Sequence, residues 1–149
     1  MDNLSRRQRS ECMSKIAAKG TKPELAVRRL LRIQKFKFQT NFKGLAGKPD
    51  IALPSKRAVI FIHGCFWHKH RCHKGRSLPK NHAAFWNKKR EANRIRDRKN
   101  VQQLRRLGWR VLVVWECQVY REPYIKQKLI RFLILPSKHG KSLAHRALQ

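Results

Sequence analysis

Residues 59–72 place a strand-like apolar run directly before a dense group of cysteines and histidines. The segment reads Val-Ile-Phe-Ile-His-Gly-Cys-Phe-Trp-His-Lys-His-Arg-Cys. Its first four residues are β-branched or aromatic, which is typical of a buried β-strand. The residues after them carry thiols and imidazoles, which bind transition metals, and Phe66 and Trp67 lie among them. The segment therefore predicts the end of a strand that holds a metal and presents large rings to a base-stacked polymer.

The spacing of these ligand types predicts a structural zinc site. Three thiolates and one imidazole make a closed tetrahedral set, which structural zinc prefers. Cys65, His70 and Cys72 lie within eight residues, and Cys117 follows a later predicted strand. His68 and His73 compete for the position of the imidazole, whereas Cys12 has no such neighbour and is expected to be a plain thiol. The expected zinc ligands are Cys65, His70, Cys72 and Cys117.

Apolar periodicity along the chain predicts alternating helices and strands in one domain. Thr21, Pro23 and Glu24 mark a helix start, and Thr21 and Glu24 are expected to form a capping box. Gly108 is expected to end the longest helix. The predicted helices cover about 23–35, 83–107 and 123–133, and the predicted strands cover 36–42, 50–53, 57–62 and 110–115, with a basic loop at 74–81. This order predicts an α/β fold in which a small mixed central sheet is flanked by helices.

The charge of the chain points to a polyanionic partner. The formal net charge is +29, from 37 Lys and Arg against 8 Asp and Glu. Such an excess destabilises a compact state unless a polyanion relieves the repulsion, and nucleic acid and acidic lipid are the two candidates. No apolar run approaches the roughly 18 residues of a membrane span, no signal peptide opens the chain, and no basic amphipathic helix has a clean apolar face. We therefore expect a soluble, cytoplasmic protein that binds nucleic acid and has no membrane partner.

The scarcity of acids makes each one informative. A carboxylate is unfavourable on a surface that faces DNA, so an acid that persists there is expected to have a task such as holding a divalent cation. Asp50 follows a Gly-Lys-Pro turn and begins a predicted strand whose neighbour contains Ile62. Magnesium accepts such a sparse site, because it takes one or two carboxylates and keeps several waters.

Several motifs together resemble the very short patch repair endonucleases. They are Gly-Lys-Pro-Asp50, the string from Val59 to His68, Phe-Trp86, Arg96-Asp97-Arg98 and Leu107 to Cys117, and the likeness runs in order from about residue 5 to 133. The resemblance implies a restriction-endonuclease-like core with a zinc site and a degenerate PD-(D/E)xK active site. It also implies nicking of the thymine strand, 5′ of the mispaired T, at T:G mismatches left by deamination of 5-methylcytosine.

The resemblance also implies roles for individual positions. Asp50 would be the central magnesium ligand, and the backbone carbonyl of Ile62 would be another. His68 matches the catalytic imidazole near the scissile phosphate. Glu24 and Asp97 match outer acids that contact metal-bound water or orient other groups. The stretch Phe61-Ile62-His63-Gly64, where the acid and lysine of the (D/E)xK part would be expected, contains no such pair. His68 is therefore expected to fill part of this gap as general acid or base.

The same resemblance assigns the zinc ligands to the four residues named above and gives three aromatic side chains a place in the base stack. Those aromatics are Phe66, Trp67 and Trp86. The alternative for the two tryptophans is a place in the core, which we expect for Trp109 and Trp115. The chain departs from the family at Ile62, where some members carry Thr, and at Lys69 within the histidine run. His63 is expected to be a structural group at the strand end, and Glu116 is expected to be structural as well.

The domain organisation and partners follow from this reading. Residues 1–19 are a basic segment expected to become ordered on DNA, 20–135 the endonuclease domain, and 136–149 a basic flexible tail. The expected partner is double-stranded DNA with a T:G mismatch, bound by a monomer in a bacterial-type cytoplasm near the nucleoid. Mismatch-repair proteins and a cytosine methyltransferase are its implied companions. The alternatives are a restriction-type or structure-specific nuclease of the same fold, and a non-catalytic zinc-stabilised protein that binds nucleic acid.

Overall fold

The computed structural model describes residues 5, 7, 8, 11 and 19–135. Cys12, nearly all of the predicted N-terminal segment and the whole of residues 136–149 lie outside this range, so the predictions for them are not tested. Within it the helices and strands are α1 (Lys22–Ile33), β1 (Ile51–Leu53), a 3-10 turn (Pro54–Lys56), β2 (Ala58–His63), α2 (His73–Arg76), α3 (Ala83–Arg106), β3 (Arg110–Trp115), α4 (Glu116–Val119) and α5 (Glu122–Ile134).

The sheet of the described residues has three strands in the order β1-β2-β3. β1 is antiparallel to β2, with Ile51 opposite Ile60. β3 is parallel to β2, with Val114 beside Ile62, and α3 makes the crossover between these two strands. The predicted α/β class, with a mixed sheet flanked by helices, is confirmed.

Alternating strand residues supply two cores, because successive side chains of a strand point to opposite faces of the sheet. Ile51 and Leu53 of β1 and Ile60 of β2 are buried with α1 and α5. The residues between them, Ala52 and Val59, are buried against α3 on the other face. Each large apolar side chain buried in this way contributes about 1.5–3 kcal/mol to folding. The apolar alternation that predicted the strands therefore allows helices to pack on both faces of the sheet.

The prediction of a strand at 36–42 is wrong. The segment makes a single isolated bridge between Gln39 and Ala52 instead of a strand. Left-handed backbone at Lys35 and Asn41, with φ of 59° and 56°, confines the extended part to a few residues. The alternating phenylalanines still pack inward, since Phe36 and Phe38 contact one core and Phe42 the other. Apolar alternation therefore reported burial correctly but not the hydrogen bonding.

The predicted capping box at the start of α1 is also wrong, although Thr21 does occupy the N-cap position. Its hydroxyl donates to the Glu24 carboxylate (3.0 Å) instead of accepting from the helix backbone. Glu24 also accepts from the backbone N–H of Gly20 (2.9 Å) and from Arg28 (3.0 Å). These three donors hold the buried carboxylate at the helix start.

Other element boundaries differ from the predictions by one or a few residues. β2 begins at Ala58, because Arg57 is left-handed with φ of 44°. The basic loop contains the short helix α2. Gly108, with φ of 80°, follows the end of α3 as expected. Trp109 packs at the edge of the core against Phe42, with ring centroids 6.2 Å apart. Over the described residues, the helices are all too short or too polar to cross a bilayer.

Candidate active site and metal centre

Side chains from three strand ends meet at one edge of the sheet. Asp50 precedes β1, His63 ends β2 and Glu116 follows β3. Because β1 runs antiparallel to β2 and β3 runs parallel to it, these positions adjoin one another. They line a cavity of about 930 Å³, together with His68 and Asp97. This cavity is the candidate active site.

Asp50 is a half-buried carboxylate held at the start of β1. The backbone N–H of Ile62 donates to its Oδ2 at 2.7 Å. Burial raises the pKa of Asp50 to about 6, and the charge of Glu24 adds to this, although the Ile62 hydrogen bond and Arg28 act against it. A bound cation stabilises a carboxylate that is poorly solvated when charged, so Asp50 is suited to be a magnesium ligand. The contact joins the backbone N–H of Ile62 to Asp50, and the role of the Ile62 carbonyl as a metal ligand stays a prediction.

Glu24 lines the same cavity, as the resemblance implies, and is buried. Both of its oxygens already accept hydrogen bonds from protein donors, namely Thr21, Gly20 and Arg28. The same carboxylate raises the pKa of Asp50 through its charge. Glu24 therefore anchors the start of α1 beside the site, and its contact with metal-bound water stays a prediction.

His68 and Asp97 form a hydrogen-bonded pair that joins α3 to residues 65–72, the metal loop, which carries three of the four expected zinc ligands. Nδ1 of His68 bonds to Oδ2 of Asp97, and both side chains are about four-fifths buried. Burial alone would raise the pKa of Asp97, but its hydrogen bond with His68 and the nearby positive charge lower the pKa overall. Because the carboxylate accepts the Nδ1 proton, the Nε2 atom of His68 is free for proton transfer.

His63 stacks on His68, with ring centroids 3.9 Å apart and ring planes 7° apart. Burial, followed by the charge of His68, lowers the pKa of His63 to about 4. His63, His68 and Asp97 could be taken for a second metal site, since their ligand atoms lie within 4.8 Å of one another. Stacked rings direct their in-plane lone pairs along separate planes, however, so this arrangement suits proton transfer better than chelation.

The candidate metal centre lies beside the cavity. The ligand atoms of Cys65, His70, Cys72 and Cys117 all lie within 4.8 Å of one another. Nδ1 of His70 is 3.5 Å from Sγ of Cys117. Zinc–sulfur bonds of about 2.3 Å in a tetrahedron would place sulfur ligands about 3.8 Å apart, so the set fits zinc. His70 completes the set, whereas His68 lies in the cavity and His73 is exposed.

The thiols of this centre are in unlike environments. Burial raises the pKa of Cys65 to about 12. A hydrogen bond with His70 lowers the pKa of Cys72 to about 6. A bound zinc ion would displace the thiol protons, so Cys65 and Cys72 could both be thiolates at the same pH. Trp115 stacks on His70, with centroids 4.4 Å apart, and so supports the imidazole.

The three aromatic side chains expected in the base stack form one cluster. The ring centroids of Phe66 lie 5.1 Å from Trp67 and 6.0 Å from Trp86, and the two tryptophans are 5.8 Å apart. Phe66 and Trp67 line the cavity. Trp86 is buried behind them at 8% exposure, which differs from the expectation that it projects. Its neighbour Phe85 is 58% exposed.

Sequence reasoning undervalued Glu116, which is central to both sites. One carboxylate oxygen accepts from the backbone N–H of Cys65 (3.3 Å), and the other pairs with Lys74 (2.5 Å). Both Glu116 and Lys74 line the cavity. The available signal was the position of Glu116 directly before a metal-type cysteine in a chain with few acids.

Half of the scarce acids therefore converge on one cavity. Of the eight in the chain, four line it: Glu24, Asp50, Asp97 and Glu116. A carboxylate site beside an imidazole, at the edge of a mixed sheet in a strongly basic chain, has the groups that can hold a divalent cation and move a proton, as metal-assisted hydrolysis requires. The structure is similar to the catalytic domain of homing endonuclease I-Bth0305I, with a TM-score of 0.52 and 22% identity over 76% of this chain and 94% of that one.

Sequence comparison gives the family. A family model described as DNA mismatch endonuclease Vsr matches residues 1–74. The chain is 47% identical to the type II nicking enzyme V.XorIIP of Xanthomonas oryzae, over 79% of this chain and 86% of that protein. It is 42% identical to the DNA mismatch endonuclease Vsr of Escherichia coli, over 73% of this chain and 69% of that protein. The chain belongs to the Vsr family, as its motifs predicted.

Proposed function

We propose that this protein is a magnesium-dependent DNA endonuclease that nicks the thymine strand of T:G mismatches left by deamination of 5-methylcytosine. The cut would lie 5′ of the mispaired T. Relatives described as nicking enzymes and as a DNA mismatch endonuclease support this reaction. The observation that carries the proposal is the convergence of four of the eight acids on a cavity that also contains His68.

Magnesium would be held by the carboxylate of Asp50 and the backbone carbonyl of Ile62. Bound there, it would supply a Lewis acid for the phosphoryl oxygen. The requirement for a cation is supported by the pKa of Asp50, which burial raises to about 6. Glu24 and Glu116 would add negative potential at the edge of this site.

His68 is the residue proposed to move a proton during hydrolysis. Its Nδ1 is engaged by Asp97, so Nε2 is the atom that would accept a proton from water or donate one to the leaving oxygen. Asp97 would hold the ring in one tautomer and stabilise its protonated form. His63, whose pKa is lowered to about 4, would stay uncharged against the ring and add no repulsion to the protonated state.

Zinc bound by Cys65, His70, Cys72 and Cys117 would have a structural role. Phe66 and Trp67 lie in the loop between the first two of these ligands. Fixing both loop ends would limit the motion of the two rings, which line the cavity. The metal centre would thereby hold the rings next to the catalytic groups.

Mismatch recognition would use those rings. A T:G pair stacks less well than a matched pair, so unstacking at the mismatch costs less. Insertion of an aromatic side chain returns about 1–3 kcal/mol of stacking per base. Phe66 and Trp67 are half-buried and reach the cavity, so they are better placed for this contact than the buried Trp86. An asymmetric mismatch suits a monomer, and mismatch-repair proteins and a cytosine methyltransferase remain the proposed companions.

A nicking assay tests the proposal. End-labelled duplexes carrying each mispair, a matched duplex and a branched duplex are incubated with the protein and magnesium. We expect a single nick 5′ of T in the T:G duplex only, and none without magnesium. Asp50→Ala should abolish the nick and leave DNA binding intact or stronger. Cleavage of matched or branched DNA would favour the other nuclease classes, and binding without any nick would favour the non-catalytic alternative.

A further inference from the structure

Arg90 is the most deeply buried charged side chain of residues 19–135, at 2% exposure. It lies on α3, one helical turn after Trp86. Among the described residues no carboxylate pairs with its guanidinium, although the same helix offers Glu91 and Asp97 to other partners. A buried charge without an ion-pair partner is unfavourable for folding, so its retention calls for a reason other than stability.

The guanidinium of Arg90 joins two parts of the site. Nη1 donates to the backbone carbonyl of Ser77 at 3.2 Å, and Nη2 donates to the carbonyl of Gly75. Its Cζ atom lies 4.7 Å from the centroid of the Phe66 ring, the shortest arginine or lysine to ring distance in the described structure. Nε has no hydrogen-bond partner. Arg90 therefore contacts a ring that lines the cavity and also residues 75–77, the turn at the end of α2.

The turn that Arg90 holds is packed directly against the metal loop. Gly75 is buried, and a Cβ atom built on it would lie 2.0 Å from the carbonyl oxygen of His70 and 2.9 Å from that of Cys65. The backbone of the turn thus lies between the metal loop on one side and Arg90 on the other. A shift of the guanidinium would move the turn and the support of Phe66 together.

We propose that Arg90 is a positioning residue that sets the orientation of Phe66 toward DNA, through its ring contact and through the turn at Gly75. Buried as it is, Arg90 would not touch DNA itself. The inference rests on the proposed function, because Phe66 is taken to contact the mismatch. It adds to that function a residue outside the cavity that determines how well T:G is distinguished from a matched pair.

Four substitutions, made singly and in one double variant, test the inference. Arg90→Met keeps an unbranched stem that can fill part of the buried space and removes the hydrogen bonds and charge of the guanidinium; such replacements of buried charges by apolar groups are commonly tolerated. Arg90→Lys keeps the charge near the ring but lacks the rigid planar fork by which the guanidinium bonds both carbonyls. Phe66→Leu removes the ring, alone and together with Arg90→Met. Arg105→Met is the matched control, because it removes one exposed positive charge from the same helix.

The first measurement is the rate of nicking of a T:G duplex relative to its matched duplex. We expect Arg90→Met to lower this ratio about tenfold or more and Phe66→Leu to lower it to a similar extent. The double variant should be no worse than the more impaired single variant, because both act through the same ring. Arg90→Lys should lie between wild type and Arg90→Met. Arg105→Met should weaken binding to both duplexes equally and leave the ratio unchanged.

The second measurement does not depend on nicking. Near-ultraviolet circular dichroism of the free protein reports the packing of its aromatic side chains, which include Trp67 and Trp86, and 2-aminopurine beside the mismatch reports unstacking. We expect Arg90→Met to change the first and to lose the fluorescence increase that wild type gives in the second. A selectivity ratio within twofold of wild type, additive effects in the double variant, or an unchanged spectrum would overturn the inference. If wild type nicks no T:G duplex, the proposed function fails while the spectra still decide the role of Arg90. If Arg90→Met does not fold, Arg90→Lys takes its place with a smaller loss expected, and a selectivity ratio and a near-ultraviolet spectrum equal to those of wild type would then overturn the inference.

Discussion

Replacing Asp50 by Asn should stabilise the metal-free protein while it abolishes nicking. The substitution removes the charge and keeps an oxygen that can accept the Ile62 N–H, now 2.7 Å from Oδ2. In the folded protein, burial raises the pKa of Asp50 from 3.8 to about 6. The folded state therefore favours the neutral carboxyl, and asparagine resembles that form.

The size and sign of the effect follow from this pKa. The folded carboxyl keeps its proton to a higher pH than the unfolded chain does, so charging it opposes folding. The penalty is absent below about pH 4, grows between pH 4 and 6, and is complete above pH 6. A pKa difference between 3.8 and about 6 corresponds to ~3 kcal/mol at pH 7.5 and ~1.6 kcal/mol at pH 5. Both are upper limits, because Asp50 is only half-buried and water screens part of the charge.

Thermal unfolding in buffer without divalent cations measures the difference. With roughly 2–4 °C per kcal/mol for a protein of this size, we expect Asp50→Asn to melt at most about 12 °C above wild type at pH 7.5 and at most about 6 °C above it at pH 5. Magnesium should raise the melting temperature of wild type only. Asp97→Asn is the matched control with the opposite sign, because the pKa of Asp97 is lowered in the folded protein and its charge favours folding. An Asp50→Asn protein no more stable than wild type at pH 7.5, or one with the same gain at both pH values, would refute the reasoning.

Three further substitutions test other parts of the site. Cys117→Ser should reduce the zinc content from about one equivalent toward zero and lower the melting temperature by roughly 10 °C, as measured by metal analysis and thermal unfolding; full zinc retention would remove Cys117 from the ligand set. His68→Gln should slow nicking by about 10²–10⁴-fold without weakening DNA binding, because only proton transfer is lost; an unchanged single-turnover rate would contradict its role. Gly75→Ala should destabilise the protein by about 1–3 kcal/mol, because its Cβ would lie 2.0 Å from a backbone carbonyl oxygen; a melting temperature equal to wild type would show that the turn is free to move.

The sequence predicted the fold where its local signals agreed with packing. β3 has the predicted bounds, and Gly108 follows α3 as expected, since its left-handed backbone suits glycine. The segment 36–42 failed for a physical reason. Alternation reports which side chains are buried, but a strand also needs a neighbour at hydrogen-bonding distance over its length, and left-handed Asn41 ends that alignment. The capping box failed because Glu24 bonds to Thr21 and Gly20 at once, a choice no spacing reveals.

The candidate site was predictable where its chemistry is concentrated in a short segment. The ligand types of residues 65–72 and Cys117 do come together, and His68 does meet Asp97. The burial of Trp86 corresponds to the alternative given for the two tryptophans. Its basic neighbours in sequence favoured a projecting ring, but the side chain packs on Phe66 instead. Arg90 was missed, since a single arginine among 37 cationic residues has no local mark of burial.

The negative charge of the cavity is unusual in so basic a chain. In a chain with a net charge of +29, four acids in one cavity are not needed for solubility, and at Asp50 burial makes the charge unfavourable for folding. A divalent cation would reverse that sign, because it favours the charged carboxylate that burial opposes. Magnesium binding near pH 6 should then release the proton of the Asp50 carboxyl. It should stabilise the protein most above pH 6, where the charged carboxylate without a cation is least favourable for folding. The basic surface would attract the phosphates of DNA. At the cavity, DNA would meet a cation whose binding makes the buried negative charge favourable.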